Sequence, residues 1–263
     1  NRSSAGEQYD FISYECRLSI NQVNGILRFS ANPLFNALID TINTEANEWG
    51  PYFTRDMIKA IYQGLWGDDA ESPARMFFSS DREGDMDIYC RYYVMDRDAW
   101  EFYMPIDSLI LAEGLNSSAD EGYLCMHAGE VEDREVSYFT SNRDGSFDIY
   151  RAVSDPWKSI EQSESPEINR VDILSGEADD KCPYIVNNMM VFTSNRDGGY
   201  GRFDLWYSLY EDGQWTTPEN FGPQINTEYN EYRPIITPTD SMIFLNDLLI
   251  FSSDRPGGKG GFD

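Results

Sequence analysis

One histidine, four cysteines and only 20 lysines and arginines stand among the 263 residues, against 46 aspartates and glutamates, for a net charge of −26. Each scarcity removes a class of function. An excess of carboxylates this large repels phosphate backbones and anionic lipid headgroups, which argues against nucleic acid and membrane surfaces as partners and leaves cations, basic proteins and neutral glycans. No apolar run approaches the ~18 residues of a membrane span. The first residues also lack the basic-then-apolar layout of a signal peptide, so the chain as given reads as soluble and already processed.

Catalytic signatures are equally sparse. GxSxG, HExxH and a phosphate-binding glycine loop are absent. The single histidine, His127, lies two residues after Cys125, on the same side of a strand and about 7 Å away between Cα atoms. A nucleophile and its base are normally brought together from separate parts of a fold, so this pair reads as core or channel lining. Cys16, Cys90, Cys125 and Cys182 show no CxxC spacing and fall in different repeats. They read as buried free thiols, with a disulfide between neighbouring repeats as the alternative.

What the chain has is repetition. Val191 to Ser208, VFTSNRDGGYGRFDLWYS, is an apolar strand, a polar glycine-rich turn and a second strand, the pattern of a β-hairpin with a wide loop. The hairpin recurs as FFSSDREGDMDIY (77–89), YFTSNRDGSFDIY (138–150) and IFSSDRPGGKGGFD (250–263), with Arg82, Arg143, Arg196 and Arg255 separated by 61, 53 and 59 residues. A second element precedes each hairpin: INTEANEWGP from Ile42 and INTEYNEYRP from Ile225, with weaker copies LNSSADEGYL from Leu115 and LSGEADDKCP from Leu174. Each repeat thus reads as an acid-rich turn, an apolar strand, the hairpin, and a variable fourth segment at Trp100 to Met104, Trp157 to Ile160 and Gln214 to Thr217. Four strands per repeat predict an all-β, four-bladed β-propeller of four-stranded antiparallel blades in a single domain spanning 1–263.

The expected blades are 48–113, 120–172, 179–224 and 230–263 plus 9–40. Tyr9 to Glu15, YDFISYE, lines up with the third strand beginning at Phe203, so the N-terminal strands are expected to complete the last blade and close the ring. Two short helical insertions are expected, at Arg55 to Gln63 and at Pro33 to Leu38.

These repeats resemble the TolB-type, WD-like β-propeller repeat, whose hallmark is an apolar pair, Ser/Thr-Ser-Asp/Asn-Arg, a glycine-rich turn and a closing Asp-Ile-Tyr. The longer form, with INTE-NEY-P before it and SSDRPGGKGGFD after it, is similar to that of Bacteroidetes-type envelope proteins, often found beside OmpA-like peptidoglycan-binding modules. The resemblance spans residues 9 to 263. It implies an exported scaffold, periplasmic, outer-membrane-associated or at the cell surface. TolB has more blades and an extra domain, so its partners are not carried over.

Four constellations are candidates for function. The acids Glu48, Glu121, Asp180 and Glu231 open the first strands and, if these are innermost, converge on one channel mouth, where they would hold a hard cation such as Ca²⁺. The competing use is charge-assisted latching to Arg82, Arg143, Arg196 and Arg255, which the topology places on the same face. Asp10, Asp87, Asp148 and Asp204 open the third strands and read as acceptors for backbone N–H groups of their own hairpins. Aromatic residues at strand positions should be core, with Trp66 the exception in an irregular loop. The expected docking face carries the long connections Thr54 to Ala74 and Pro238 to Asp247, with Tyr62, Trp66, Asp68, Asp69 and Asp247 as its binding residues. The function expected is a non-catalytic binding or scaffold module for an envelope protein or glycan, without a resident cofactor. A carbohydrate-active hydrolase with paired carboxylates at the channel mouth is the alternative.

Overall fold

The computed structural model describes residues 44–54, 74–96, 101–103, 109–131, 134–237, 248–257 and 261–262. The expected helices at 33–38 and 55–63, the N-terminal strands at 9–40, Asp10, Cys16 and the binding residues Tyr62, Trp66, Asp68, Asp69 and Asp247 lie outside these residues. The described chain is all-β, with one 3-10 turn, Ile160–Gln162, and four antiparallel sheets.

The first sheet is β1 (Glu48–Phe53), β2 (Ala74–Ser80), β3 (Asp87–Asp96), β4 (Glu101–Tyr103) and β5 (Leu109–Leu111). The second is β6 (Glu121–Val131), β7 (Arg134–Ser141), β8 (Asp148–Val153) and β9 (Glu167–Arg170). The third is β10 (Asp180–Val186), β11 (Met189–Ser194), β12 (Asp204–Glu211), β13 (Gln214–Trp215) and β14 (Glu219–Asn220). The fourth pairs β15 (Glu231–Thr237) with β16 (Leu248–Ser253).

Two features depart from the plain four-strand expectation. In the first and third sheets the outermost position is shared by two short strands, because the long third strand pairs with a different one along each half: β3 with β4 and β5, β12 with β13 and β14. In the second sheet, Trp157 to Ile160 is not a strand. Asp155 to Lys158 close a turn, the 3-10 turn follows, and the outer strand forms at Glu167–Arg170.

The repeats share a backbone irregularity. Each first strand is bulged two residues after its opening acid, and the bulged residue is left-handed: Gly50 (φ 57), Tyr123 (φ 56), Cys182 (φ 55) and Arg233 (φ 52). A side chain in that region costs roughly 1–2 kcal/mol, so three non-glycine residues hold it only because packing overrides local preference.

The sheets stack in sequence. First strands are neighbours, β1 beside β6, β6 beside β10 and β10 beside β15. Among the described residues, three apolar clusters fill the spaces between sheets. Phe77, Ile88 and Cys90 of the first sheet meet Leu124, Phe139 and Tyr150 of the second. Cys125, Tyr138 and Ile149 of the second meet Ile185, Phe192 and Trp206 of the third. Val191, Leu205 and Tyr207 of the third meet Ile236 of the fourth, with Leu249 and Phe251 against them. Inward-facing aromatic and β-branched residues from opposed sheets interdigitate, which is why the paired runs FFSS, YFTS and VFTS are buried.

First strands also meet across the stack. Tyr52 of β1 packs edge-on to Tyr184 of β10 at 6.1 Å, and Arg233 of β15 donates to Tyr123 Oη of β6 at 3.3 Å. A Cβ added at Gly50 would meet the Tyr123 ring at 2.6 Å, so glycine is required there for the strands to approach.

Candidate functional site

The repeated Ser/Thr-Ser-Asx-Arg sequence builds one device four times. The serine ending each second strand accepts a hydrogen bond from the arginine two residues on, Nε to Oγ at 3.0 Å for Arg82–Ser80, Arg143–Ser141, Arg196–Ser194 and Arg255–Ser253. The guanidinium then reaches the acid opening the first strand, at 3.3 Å for Glu48, 3.1 Å for Glu121, 2.5 Å for Asp180 and 3.1 Å for Glu231. It lies over aromatic rings as it does so: Phe78 and Tyr89, Phe139 and Tyr150, Phe192 and Trp206, and Phe251. The aromatic positions flanking each hairpin therefore form both core and cation-π support. Arg143, Arg196 and Arg255 also donate to Leu115, Leu174 and Ile225 carbonyls, pinning the preceding turn.

Each acid thus meets the arginine of its own repeat, the latch arrangement. Among the described residues no three carboxylate, histidine or cysteine side chains are grouped to hold a metal ion. Each acid is instead held within its own repeat. Glu121 accepts Ser117 N and Oγ, both at 2.8 Å, and Ser141 Oγ at 2.6 Å; Glu231 accepts Thr227 N at 2.9 Å and Oγ1 at 2.7 Å. The third repeat has Gly176 where the others have Thr44, Ser117 and Thr227, so no hydroxyl stands at that turn position. Burial pushes the Asp180 carboxyl above its ordinary range, against the pull of Arg196.

A second repeated pair sits beside the latch. The residue before each acid and the residue before each arginine are always one asparagine and one aspartate: Asn47 with Asp81, Asp120 with Asn142, Asp179 with Asn195, Asn230 with Asp254. The order is reversed in the two middle repeats. An amide facing a carboxylate matches donors to acceptors, whereas two aspartates would repel. Asn47 and Asn230 hold Asp81 and Asp254 below the usual carboxylate range. This pairing is visible in the sequence only once second-strand ends are aligned with first-strand starts.

The third-strand aspartates do three different things. Asp204 accepts Tyr200 N at 2.6 Å and Gly201 N at 2.9 Å within its own hairpin, the expected arrangement. Asp148 instead pairs with Arg170 Nε of β9 at 2.9 Å, because the second sheet's outer strand supplies a cation. The half-buried Asp87 faces Glu121, Asp85, Glu83 and Asp120, and burial followed by these charges pushes it up to about 6. A raised carboxyl pKa relieves the fold below the unfolded value of about 4, and that relief is lost as pH rises through about 6. Asp87→Asn should therefore stabilise the protein at pH 7.5 by about 1 kcal/mol after discounting for exposure, with no gain below pH 4. Urea denaturation at the two pH values checks this, and an equal effect at both would refute it.

No protein-family model and no curated protein matches this chain.

On the opposite edge of the sheets, two carboxylates share one cation. Arg75, at the start of β2, grips Glu135 of β7 with both terminal nitrogens, at 2.9 and 2.6 Å, and Glu161 at 2.9 Å. Glu161 has no exposed side-chain surface and also accepts Ser159 Oγ at 2.6 Å and the Tyr92 hydroxyl. Paired carboxylates of a hydrolase need distinct environments and access to substrate. Here one guanidinium holds both across the seam between the first two sheets, with Glu161 enclosed and Glu135 partly exposed.

The described cysteines and the histidine are enclosed as well. Cys90, Cys125 and Cys182 are buried free thiols, and burial raises all three above the usual thiol range, Cys182 to about 12. His127 packs among the rings of Tyr138, Tyr210 and Trp215, with Trp215 Nε1 donating to Tyr138 Oη at 3.0 Å. Trp206 and Trp215 are core, as strand aromatics should be. Trp157, expected in a strand segment, is 81% exposed.

Proposed function

We propose that this chain is a four-bladed β-propeller acting as a non-catalytic binding module of the bacterial cell envelope, exported, with an envelope protein or a cell-wall or surface glycan as its partner. Support for the wheel comes from contacts across both diagonals of the four first strands, Tyr52 to Tyr184 and Tyr123 to Arg233. It also comes from the step between sheets, in which Glu121 N, Asp180 N and Glu231 N each donate to the carbonyl just before the preceding third strand, Met86, Phe147 and Phe203, at 2.6 to 2.7 Å. Residues 9–40 would then supply the outer strands of the blade begun by β15 and β16, and the single domain would span 1–263.

The observation that carries the functional reading is an asymmetry between the two edges of the sheets. One edge repeats the arginine latch four times, and its carboxylates are used in holding the scaffold. From the other edge leave the connections that differ between repeats: 54–73 between β1 and β2, two residues between β10 and β11, and 238–247 between β15 and β16. Variable loops on a repeated scaffold are where recognition is built. Deleting residues 55–72 should leave the urea midpoint within a few tenths molar of the parent. The same deletion should abolish capture of an envelope component by the immobilised chain. Undiminished capture, or release of reducing sugar from envelope polysaccharide by the parent, would overturn the proposal.

A further inference from the structure

The tryptophan that escaped the core is placed with unusual care. Asp155, Pro156, Trp157 and Lys158 form a β-turn closed by Lys158 N to Asp155 O at 3.2 Å, with Trp157 third at φ 63. Proline second and a left-handed third residue define a type II turn, whose third position selects glycine or asparagine because a larger side chain strains the backbone. Trp157 nevertheless occupies it and gains no burial in return, being 81% exposed. Neither local preference nor packing accounts for the residue.

The loop around it is stiff. Asp155 Oδ2 accepts Glu164 N at 2.9 Å, Asp155 N donates to Ser163 Oγ at 2.9 Å, Ser163 Oγ donates to Ser159 O at 3.0 Å, and Ile160 anchors the loop with no exposed surface. Behind it stands the Arg75, Glu135 and Glu161 cluster, with Ile160 N donating to Glu135 at 2.9 Å. The indole is thus held out on a pre-ordered support, so little conformational freedom is lost when something stacks on it. The loop joins β8 to β9 on the same edge as the long connections.

We propose that Trp157 is the stacking platform of a glycan-binding site that takes a neutral pyranose ring. This deepens the module reading above and rests on it. Charge selects the occupant: Lys158 is already engaged by Glu164 at 2.8 Å and Asp155 at 3.9 Å, so the loop offers no uncommitted cation for phosphate, sulfate or uronate. The net charge of −26 repels such groups further. Extent selects it too. Trp157 is the one large exposed hydrophobic side chain of loop 154–166, whereas a protein interface centres on a contiguous apolar patch. One indole face matches the axial C–H face of one sugar ring. Gln162 and Glu164 are exposed in the same loop, and although Gln162 Nε2 donates to Tyr92 Oη at 3.0 Å and Glu164 Oε1 accepts from Lys158, the amide oxygen and the second carboxylate oxygen are of the kind that pair with sugar hydroxyls.

The test is isothermal titration of the full chain with cellotetraose and with chitotetraose, each against Trp157→Gly. At least one sugar should bind the parent, and the variant should bind it at least tenfold more weakly. Its melting temperature should be unchanged or higher, since glycine relieves the turn. Trp157→Asn, whose residue type tolerates the same backbone, repeats the test should the glycine variant fold poorly. Equal binding by parent and variants, or no binding of either sugar by the parent, overturns the platform. If both sugars fail while envelope capture by the parent persists, the module reading stands and this assignment falls. Loss of protein capture alone in Trp157→Gly would mark the residue as a protein anchor and also overturn it.

Discussion

Arg75→Met should lower the unfolding free energy by about 3–5 kcal/mol, the cost of leaving the buried Glu161 carboxylate without its cation. Methionine keeps most of the volume and the contact with Phe77 but removes all three hydrogen bonds to Glu135 and Glu161. Glu161 has no exposed side-chain surface with which to recruit water as a substitute. The loss is also a loss between sheets, because Arg75 belongs to the first, Glu135 to the second and Glu161 to the loop leaving it. Adding Glu161→Leu in the same chain should recover most of the stability, since an apolar replacement of a buried ion pair is commonly neutral. Urea denaturation of the parent, single and double variants measures both effects. A single-variant loss below about 1 kcal/mol, the range of exposed pairs, would mean the seam is wet and the clamp unimportant.

Glu121→Ala should be comparably severe, at about 3–5 kcal/mol, and Glu48→Ala milder, at about 1 kcal/mol. The two acids occupy the same position in successive repeats and face the equivalent arginines, Arg82 and Arg143. Glu121 is fully buried and accepts from Ser117, Ser141 and Arg143, so truncation strands the buried Ser141 hydroxyl and takes the carboxylate from a mostly buried guanidinium. Glu48 keeps 12% of its side chain in water, and its bonds to Thr44 lie at the surface, where solvent replaces them. Matching denaturation curves for the two variants would show that repeat position, not burial, sets the worth of a latch.

Much of this was legible beforehand because it follows from local pattern. The Asx-Arg turns, the alternation of apolar and polar residues in VFTS and YFTS, and the common spacing of acid and arginine announce hairpins that must pack against one another. The opposed pull of Asp87, Asp148 and Asp204 was not legible. They are the same residue at the same repeat position, but their partners, a hairpin backbone, an outer-strand arginine or a group of like charges, come from elsewhere in the chain. Trp157 was misplaced for a related reason: an aromatic beside β-forming residues reads as strand, and only the turn closed by Asp155 and Lys158 turns it outward.

The order of residues alone determined the all-β character, the recurrence of acid and arginine at one spacing and the acidity that narrows the range of partners, since all of these are set within one repeat or by composition. Tertiary structure decided which carboxylates are buried, that Arg75 joins two sheets, and that Trp157 faces water. Those properties depend on distances between residues far apart in the chain, and desolvation and charge pairing are set by such distances.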